Sequence, residues 1–269
     1  MDRVPECRRI DLGTDELLFH VEGALAWLTF NRPGARNAVT WPMYEGLSRA
    51  CERVEADPAI RVLLLTGAGG SFVAGTDISQ FRRFETAEEV LGYERNLNRY
   101  VSRLEALAKP TIAVLRGYCA GSGAVIALAC DLRLAARDVK FGIPIARTLG
   151  NTLSAQNLAR LLAVLGPARA KELLFTARFI EAEEGKAVGL WSEVVEGTAL
   201  EERARNLASL IASHAPLTLR AVKEGIRRLL LQARIEETED LTLQCYLSQD
   251  FKEGVSAFLA RRPPEWKGR

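Results

Sequence analysis

Short apolar runs alternate with longer segments of helical spacing through the first half of the chain, and this alternation limits the fold more than any other feature. Residues 62–66 and 111–115 are runs rich in Val, Ile and Leu, and residues 132–135 form a further short strand after Asp131, all too short for helices. Continuous apolarity of that length suits strands covered on both faces. Ahead of the first run, residues 41–54 place Met43, Leu47, Ala50, Cys51 and Val54 at helical intervals. Thr86-x-x-Glu89 forms a capping box that opens a helix running to about Leu107.

Ahead of these, residues 17–21 and 25–30 flank Glu22-Gly23 and read as a hairpin. Residues 117–129 turn into an apolar helix. Ser154 is a suitable N-cap for a helix over 154–165, with Gly166 closing it and Pro167 starting the next. From residue 199 the pattern is helical, over 200–213, 217–232, 235–248 and 251–262. The order of elements predicts an α/β core with a helical layer at the C-terminal end.

Composition narrows the function. A chain of 269 residues, 48% apolar and 26% charged, supports a large core without metals or disulfides. The net charge is +2 with interspersed signs, so no nucleic-acid partner is expected. Cys7, Cys51, Cys119, Cys130 and Cys245 form no C-x-x-C pair, and His20 and His214 are far apart, so no metal site is expected. Scattered cysteines suit a reduced, cytoplasmic protein. Residues 1–16 lack the apolar core of a secretory signal, and residues 121–130 are too short to span a bilayer, so no membrane association is expected.

Three segments, in order, resemble the crotonase (enoyl-CoA hydratase/isomerase) superfamily. The first is Asn31-Arg32-Pro33 with Asn37-Ala38. The second is Ser71-Phe72-Val73-Ala74-Gly75-Thr76-Asp77-Ile78. The third is Lys109-Pro110-Thr111-Ile112-Ala113-Val114, then Gly117-Tyr118-Cys119-Ala120-Gly121-Ser122-Gly123 and Cys130-Asp131. Echoes continue through Phe175-Thr176-Ala177-Arg178 and Gly254-Val255-Ser256-Ala257-Phe258. The resemblance implies a crotonase-like ββα spiral core over residues 1–198 and a C-terminal helical trimerisation region over 199–269. It also implies a homotrimer, or a hexamer built as a dimer of trimers, acting on an acyl-CoA thioester with no cofactor beyond the coenzyme A moiety of that substrate.

It further implies a role for particular residues. The backbone amides of Thr76 and Ser122 are the expected donors to a thioester enolate oxygen, an arrangement worth a few kcal/mol per donor. Gly121-Ser122-Gly123 opens an apolar helix, where free N–H groups gather. Coenzyme A is expected to run past Ala74, Thr76, Asp77, Ile78 and Ser79. Arg32 and Arg261, with Arg36 and Arg262, are candidates for its phosphates.

The resemblance breaks at the two hydratase glutamates, whose positions here read Val125 and Ile145. Neither side chain exchanges a proton. On the helix opened by Thr86, Glu94 is the one acid on an apolar stripe of Val90, Leu97, Val101 and Leu104. Two readings of Glu94 stand: an acid/base with Tyr93 beside it, or a helix-face residue paired with Arg95 or Arg147. Arg147 is a candidate for an anionic group, and Cys119 reads as a packed thiol.

The functional expectation is an acyl-CoA lyase or isomerase with non-standard acid/base residues. The alternatives are a decarboxylase, a thioester hydrolase, or a non-catalytic acyl-CoA-binding homologue.

Overall fold

The computed structural model describes residues 7–83, 86–232 and 239–267. The strands are β1 (Cys7–Ile10), β2 (Leu17–Glu22), β3 (Leu25–Phe30), β4 (Val62–Gly67), β5 (Thr111–Leu115), β6 (Tyr118–Ala120), β7 (Leu132–Ala136), β8 (Lys140–Gly142), β9 (Ile180–Glu181) and β10 (Glu193–Val195). The helices are α1 (Trp41–Ala56), α2 (Ala87–Glu105), α3 (Ser122–Ala129), α4 (Ile145–Thr148), α5 (Ala155–Thr176), α6 (Ala182–Ala187), α7 (Leu200–Ala212), α8 (Pro216–Gln232), α9 (Glu239–Tyr246) and α10 (Gln249–Leu259).

The larger sheet has the order β1-β2-β3-β4-β5-β7-β10, antiparallel at the hairpin end and parallel from β3 onward. Its faces follow the period-2 alternation of side chains. Along β4, Leu63 and Leu65 join the main core, whereas Val62 and Leu64 join a second cluster. That second cluster is closed by Leu200, Ala204 and Ala208 of α7, packed over Leu25, Trp27, Ile112, Val114 and Leu134. Residues past 199 therefore begin by covering the sheet. Later, α9 packs on α2, and α10 packs on a 3-10 turn, Ile78–Arg83.

A smaller sheet, β6-β8-β9, lies apart from the first. Its β6 falls where the sequence predicts an approach directly into a helix. Tyr118, Cys119 and Ala120 instead pair with Lys140, Phe141 and Gly142 before the chain turns at Gly121, where φ is 54°. β1 is also unforeseen, because an edge strand with exposed arginines carries no apolar alternation. The expected break at Gly166 is present, with φ 68° between two helical stretches of α5. The expected helix 235–248 is described only from Glu239, since residues 233–238 lie outside the described residues.

Asn37 explains the first motif. It is fully buried in the left-handed region (φ 59°), and its Nδ2 donates to the carbonyls of Ala68, Ser71 and Phe72 at 3.0, 2.8 and 3.1 Å. Its Oδ1 accepts from the Arg32 amide at 2.8 Å. This one amide side chain ties the loop after β3 to the loop after β4. Asp131 acts similarly, accepting from the Thr111 amide and hydroxyl and from Lys223.

Candidate active site

Two loops meet at the head of α3. Val39 N–H donates to the Gly75 carbonyl and Asp77 N–H donates to the Val39 carbonyl, so Thr76 sits between the two bonds of a parallel bridge. In that geometry its own N–H points away from Val39. Gly75 has φ 126° and Gly121 has φ 54°, and a Cβ added at Gly121 would come within 3.5 Å of Gly75 Cα. These positions favour glycine because their positive φ is a conformation that a side chain disfavours, whereas an added Cβ would itself meet only ordinary contacts.

Ser122 is the first residue of α3, where an amide has no acceptor within the helix. Among the described residues no backbone hydrogen bond uses the amide of Thr76 or Ser122. Gly123 serves close packing, since a Cβ there would overlap the Val73 carbonyl. The glycine-rich turn thus seats the second loop directly on α3.

Around these amides lies a cluster of hydroxyls. Tyr44 Oη is 2.8 Å from Thr76 Oγ1, and Tyr93 Oη is 3.3 Å from the same atom. Burial pushes the Tyr44 phenol up to about 12, against the opposing effect of the Ser122 and Thr76 hydroxyls. The Ser122 hydroxyl is near enough for that effect, yet its Oγ is buried and completes no hydrogen bond of normal geometry. Burial likewise raises Tyr93 well above the usual phenol range.

Glu94 is 6% exposed on α2. Its partner is neither Arg95 nor Arg147 but Tyr246 of α9, whose hydroxyl donates to Oε1 at 2.7 Å. Asn151 Nδ2 in turn donates to the Tyr246 hydroxyl at 2.9 Å. Among the described residues, Glu94 Oε2 and Asn151 Oδ1 are buried and find no hydrogen-bond partner. Burial raises the Glu94 carboxyl to about 7, and the Tyr246 bond opposes that rise. Its charge raises Tyr44 and Tyr93 electrostatically, so the carboxyl and the hydroxyl cluster share one environment. A carboxyl titrating near neutrality suits proton transfer in either direction.

Other expected site residues form a second group. Arg32 bonds Asp77 at 3.1 Å, Glu16 at 3.0 Å and the Ala38 carbonyl at 2.6 Å. Burial would raise the Asp77 carboxyl, but the two bonds from Ser79 and the Arg32 guanidinium together hold it below the usual range. Ala74 donates its amide to the Arg36 carbonyl, and Ile78 opens the 3-10 turn against the core. Arg36 lies 4.7 Å over the Tyr118 ring, and Arg262 pairs with Glu253. Arg261 is exposed just past α10, with φ 54°.

Val125 is buried in α3 and Ile145 opens α4, partly buried against the core. Cys119 is buried and its thiol is raised well above the usual range by burial, which suits packing rather than reaction. Sequence reasoning missed Tyr44 and Tyr246. Each is a buried tyrosine on a helix, and nothing local distinguishes such a residue from core packing.

A sheet layered by helices, with two loop backbones meeting at the head of a buried apolar helix, defines a crotonase-type α/β protein. A family model described as enoyl-CoA hydratase/isomerase matches residues 20–269, and the chain belongs to that family. Short-chain-enoyl-CoA hydratase of Clostridium acetobutylicum is 34% identical, covering 93% of this chain and 97% of its own length. The 1,2-epoxyphenylacetyl-CoA isomerase of Escherichia coli is also 34% identical, covering 94% and 98%. A solved methylmalonyl-CoA decarboxylase in complex with 2-nitronate-propionyl-CoA superposes with a TM-score of 0.86 at 27% identity, covering 96% of this chain and 100% of that one.

Proposed function

We infer that this protein is an acyl-CoA lyase or isomerase that stabilises a thioester enolate with the Thr76 and Ser122 amides and moves protons with Glu94. The observation that supports the reading is the close approach of Gly121 to Gly75 at the head of α3, beside two loop amides that make no backbone hydrogen bond among the described residues. Preorganised donors of this kind favour charge that develops on an oxygen. Val125 and Ile145 cannot exchange protons, so ordinary two-glutamate hydration is not the expected reaction. Glu94, buried and raised to about 7, is the group suited to replace them.

Coenzyme A lies along Ala74, Thr76, Asp77, Ile78 and Ser79 in this reading, with Arg32 and Arg261 toward its phosphates. Because Arg32 is shared with Glu16 and Asp77, its contribution to phosphate is weaker than that of a free guanidinium. No cofactor beyond the coenzyme A moiety is needed. A homotrimer, or a dimer of trimers, is supported by exposed Leu217 and Leu229 on α8, 77% and 69% exposed.

A second reading, decarboxylation, is favoured by the close superposition with methylmalonyl-CoA decarboxylase, since loss of carbon dioxide needs an oxyanion site but no pair of glutamates. A panel of unsaturated, hydroxylated and carboxylated acyl-CoA thioesters, resolved by liquid chromatography against isomeric standards and followed by mass spectrometry, separates these. A double-bond shift or elimination that Glu94→Gln abolishes supports the main reading. A mass loss of carbon dioxide supports the second, and unchanged thioesters throughout leave a binding protein.

A further inference from the structure

The buried polar groups around Glu94 come from three separated parts of the chain. Glu94 is on α2, Asn151 lies between α4 and α5, and Tyr246 ends α9. The directions of the two bonds matter. Asn151 Nδ2 donates to the Tyr246 oxygen, and the Tyr246 proton is aimed at Glu94 Oε1. Oε1 already accepts the Tyr246 bond, whereas Oε2 is buried and has no partner among the described residues. A proton arriving at this carboxylate therefore has one open oxygen.

We propose that Tyr246, oriented by Asn151, is a positioning residue that holds Glu94 Oε1 and reserves Oε2 as the proton-exchanging atom. This rests on the reading of Glu94 as the acid/base. In the forward step a substrate C–H bond breaks, an O–H bond forms at Oε2, and the electron pair passes to the thioester oxygen. The return step delivers that proton from Oε2 to carbon, so no oxidant or further reactant is required.

The surroundings fit the role. Among the described residues, the titratable groups that interact with Glu94 are phenols: Tyr246 from α9, Tyr93 from its own helix and Tyr44 from α1. From α3, Ser122–Ala129 contributes no titratable side chain. Tyr246 is thus the group that bonds the carboxylate directly, and it favours the ionised form. α2 is itself anchored to α5 by Asn98, which accepts from Ser154 Oγ and Asn157 Nδ2 at 2.9 and 3.2 Å. The C-terminal helices, on this view, complete the chemistry of their own subunit.

The test uses the full-length protein and its variants Tyr246→Phe, Asn151→Leu and Glu94→Gln. Infrared difference spectra against Glu94→Gln report the Glu94 carboxyl as pH is varied. The same variants are then assayed for deuterium exchange at carbon in straight-chain saturated and unsaturated acyl-CoA esters, over pH 5–10 by mass spectrometry.

Loss of a hydrogen bond to a charged group should move the Glu94 midpoint upward by about one pH unit in Tyr246→Phe. The acid limb of the exchange rate should move with it, giving a roughly fivefold loss at pH 7, approaching tenfold at more acidic pH, that recovers when pH is raised. Asn151→Leu keeps the phenol and should give a smaller shift of the same sign, which decides the matter if Tyr246→Phe does not fold. A rate limb that stays in place while Glu94→Gln is inactive overturns the role of Tyr246 and leaves that of Glu94 intact. Undiminished exchange in Glu94→Gln, or no exchange on any ester, overturns both.

Discussion

Tyr246 donates its phenolic proton to Glu94 across 152 residues of sequence, at 2.7 Å, in a buried site. The pair joins the first half of the chain to its last helices through a single bond. It also explains why Glu94 is paired with a neutral group and not with a cation. A nearby arginine would hold the carboxyl ionised at neutral pH, whereas burial beside a phenol leaves it near its midpoint at pH 7.

Glu94→Gln should therefore reduce kcat by about 10²- to 10⁴-fold on a thioester that the wild type converts. KM should change little, because the carboxamide keeps the shape and can still accept from Tyr246. Steady-state kinetics on the pair of proteins decides, and equal kcat values would remove Glu94 from the mechanism.

The same carboxyl links folding to pH. Its folded value, about 7, lies above the ordinary 4.5, so the native state binds the extra proton between those values. Stability is full below about pH 4.5, falls as pH rises, and levels off above the folded value, a loss of about 3 kcal/mol from this group. Denaturant unfolding at pH 5 and pH 8 should show that loss in the wild type and a smaller one in Glu94→Gln.

Thr76→Val should retain turnover to within about tenfold, since the donor expected to meet the thioester oxygen is the main chain. The variant removes the hydroxyl contacts to Tyr44 and Tyr93 without touching that amide. A loss of several hundredfold would show that the side chain, and not the backbone, carries the function.

Gly123→Ala should destabilise the protein by about 1–3 kcal/mol and impair turnover, because its methyl group would overlap the Val73 carbonyl and push the loop carrying Thr76 away from α3. Gly34→Ala, where an added methyl group meets nothing within 4 Å, serves as the comparison. Thermal unfolding of both variants measures the difference.

Asn37→Ala leaves three carbonyls without their donor and places alanine in the left-handed region. A cost of about 3 kcal/mol is expected from the unsatisfied buried groups. Chemical denaturation reads it directly, and a change under about 1 kcal/mol would mean that solvent replaces the side chain.

Much of the architecture was legible in the chain because local rules carry it. The buried strand β4 announces itself by unbroken apolarity, α2 by its capping box, and the break in α5 by Gly166-Pro167. Glu94 stands out for a similar reason, as the lone acid on an apolar stripe. β6 was hidden because its three residues become a strand only by pairing with β8, and that pairing has no local signature.

Which groups meet is a different matter. Asn151 could be placed from sequence only in the loop after Ile145, and Tyr246 carries no mark at all, since a hydrogen bond between distant elements depends on how α2, α5 and α9 pack, and packing is decided by the summed burial of all their apolar faces. Helical periodicity put Glu94 on an inward face. Only the folded chain supplied the phenol that bonds it, the environment that raises it, and the close approach of Gly121 to Gly75 at the head of α3.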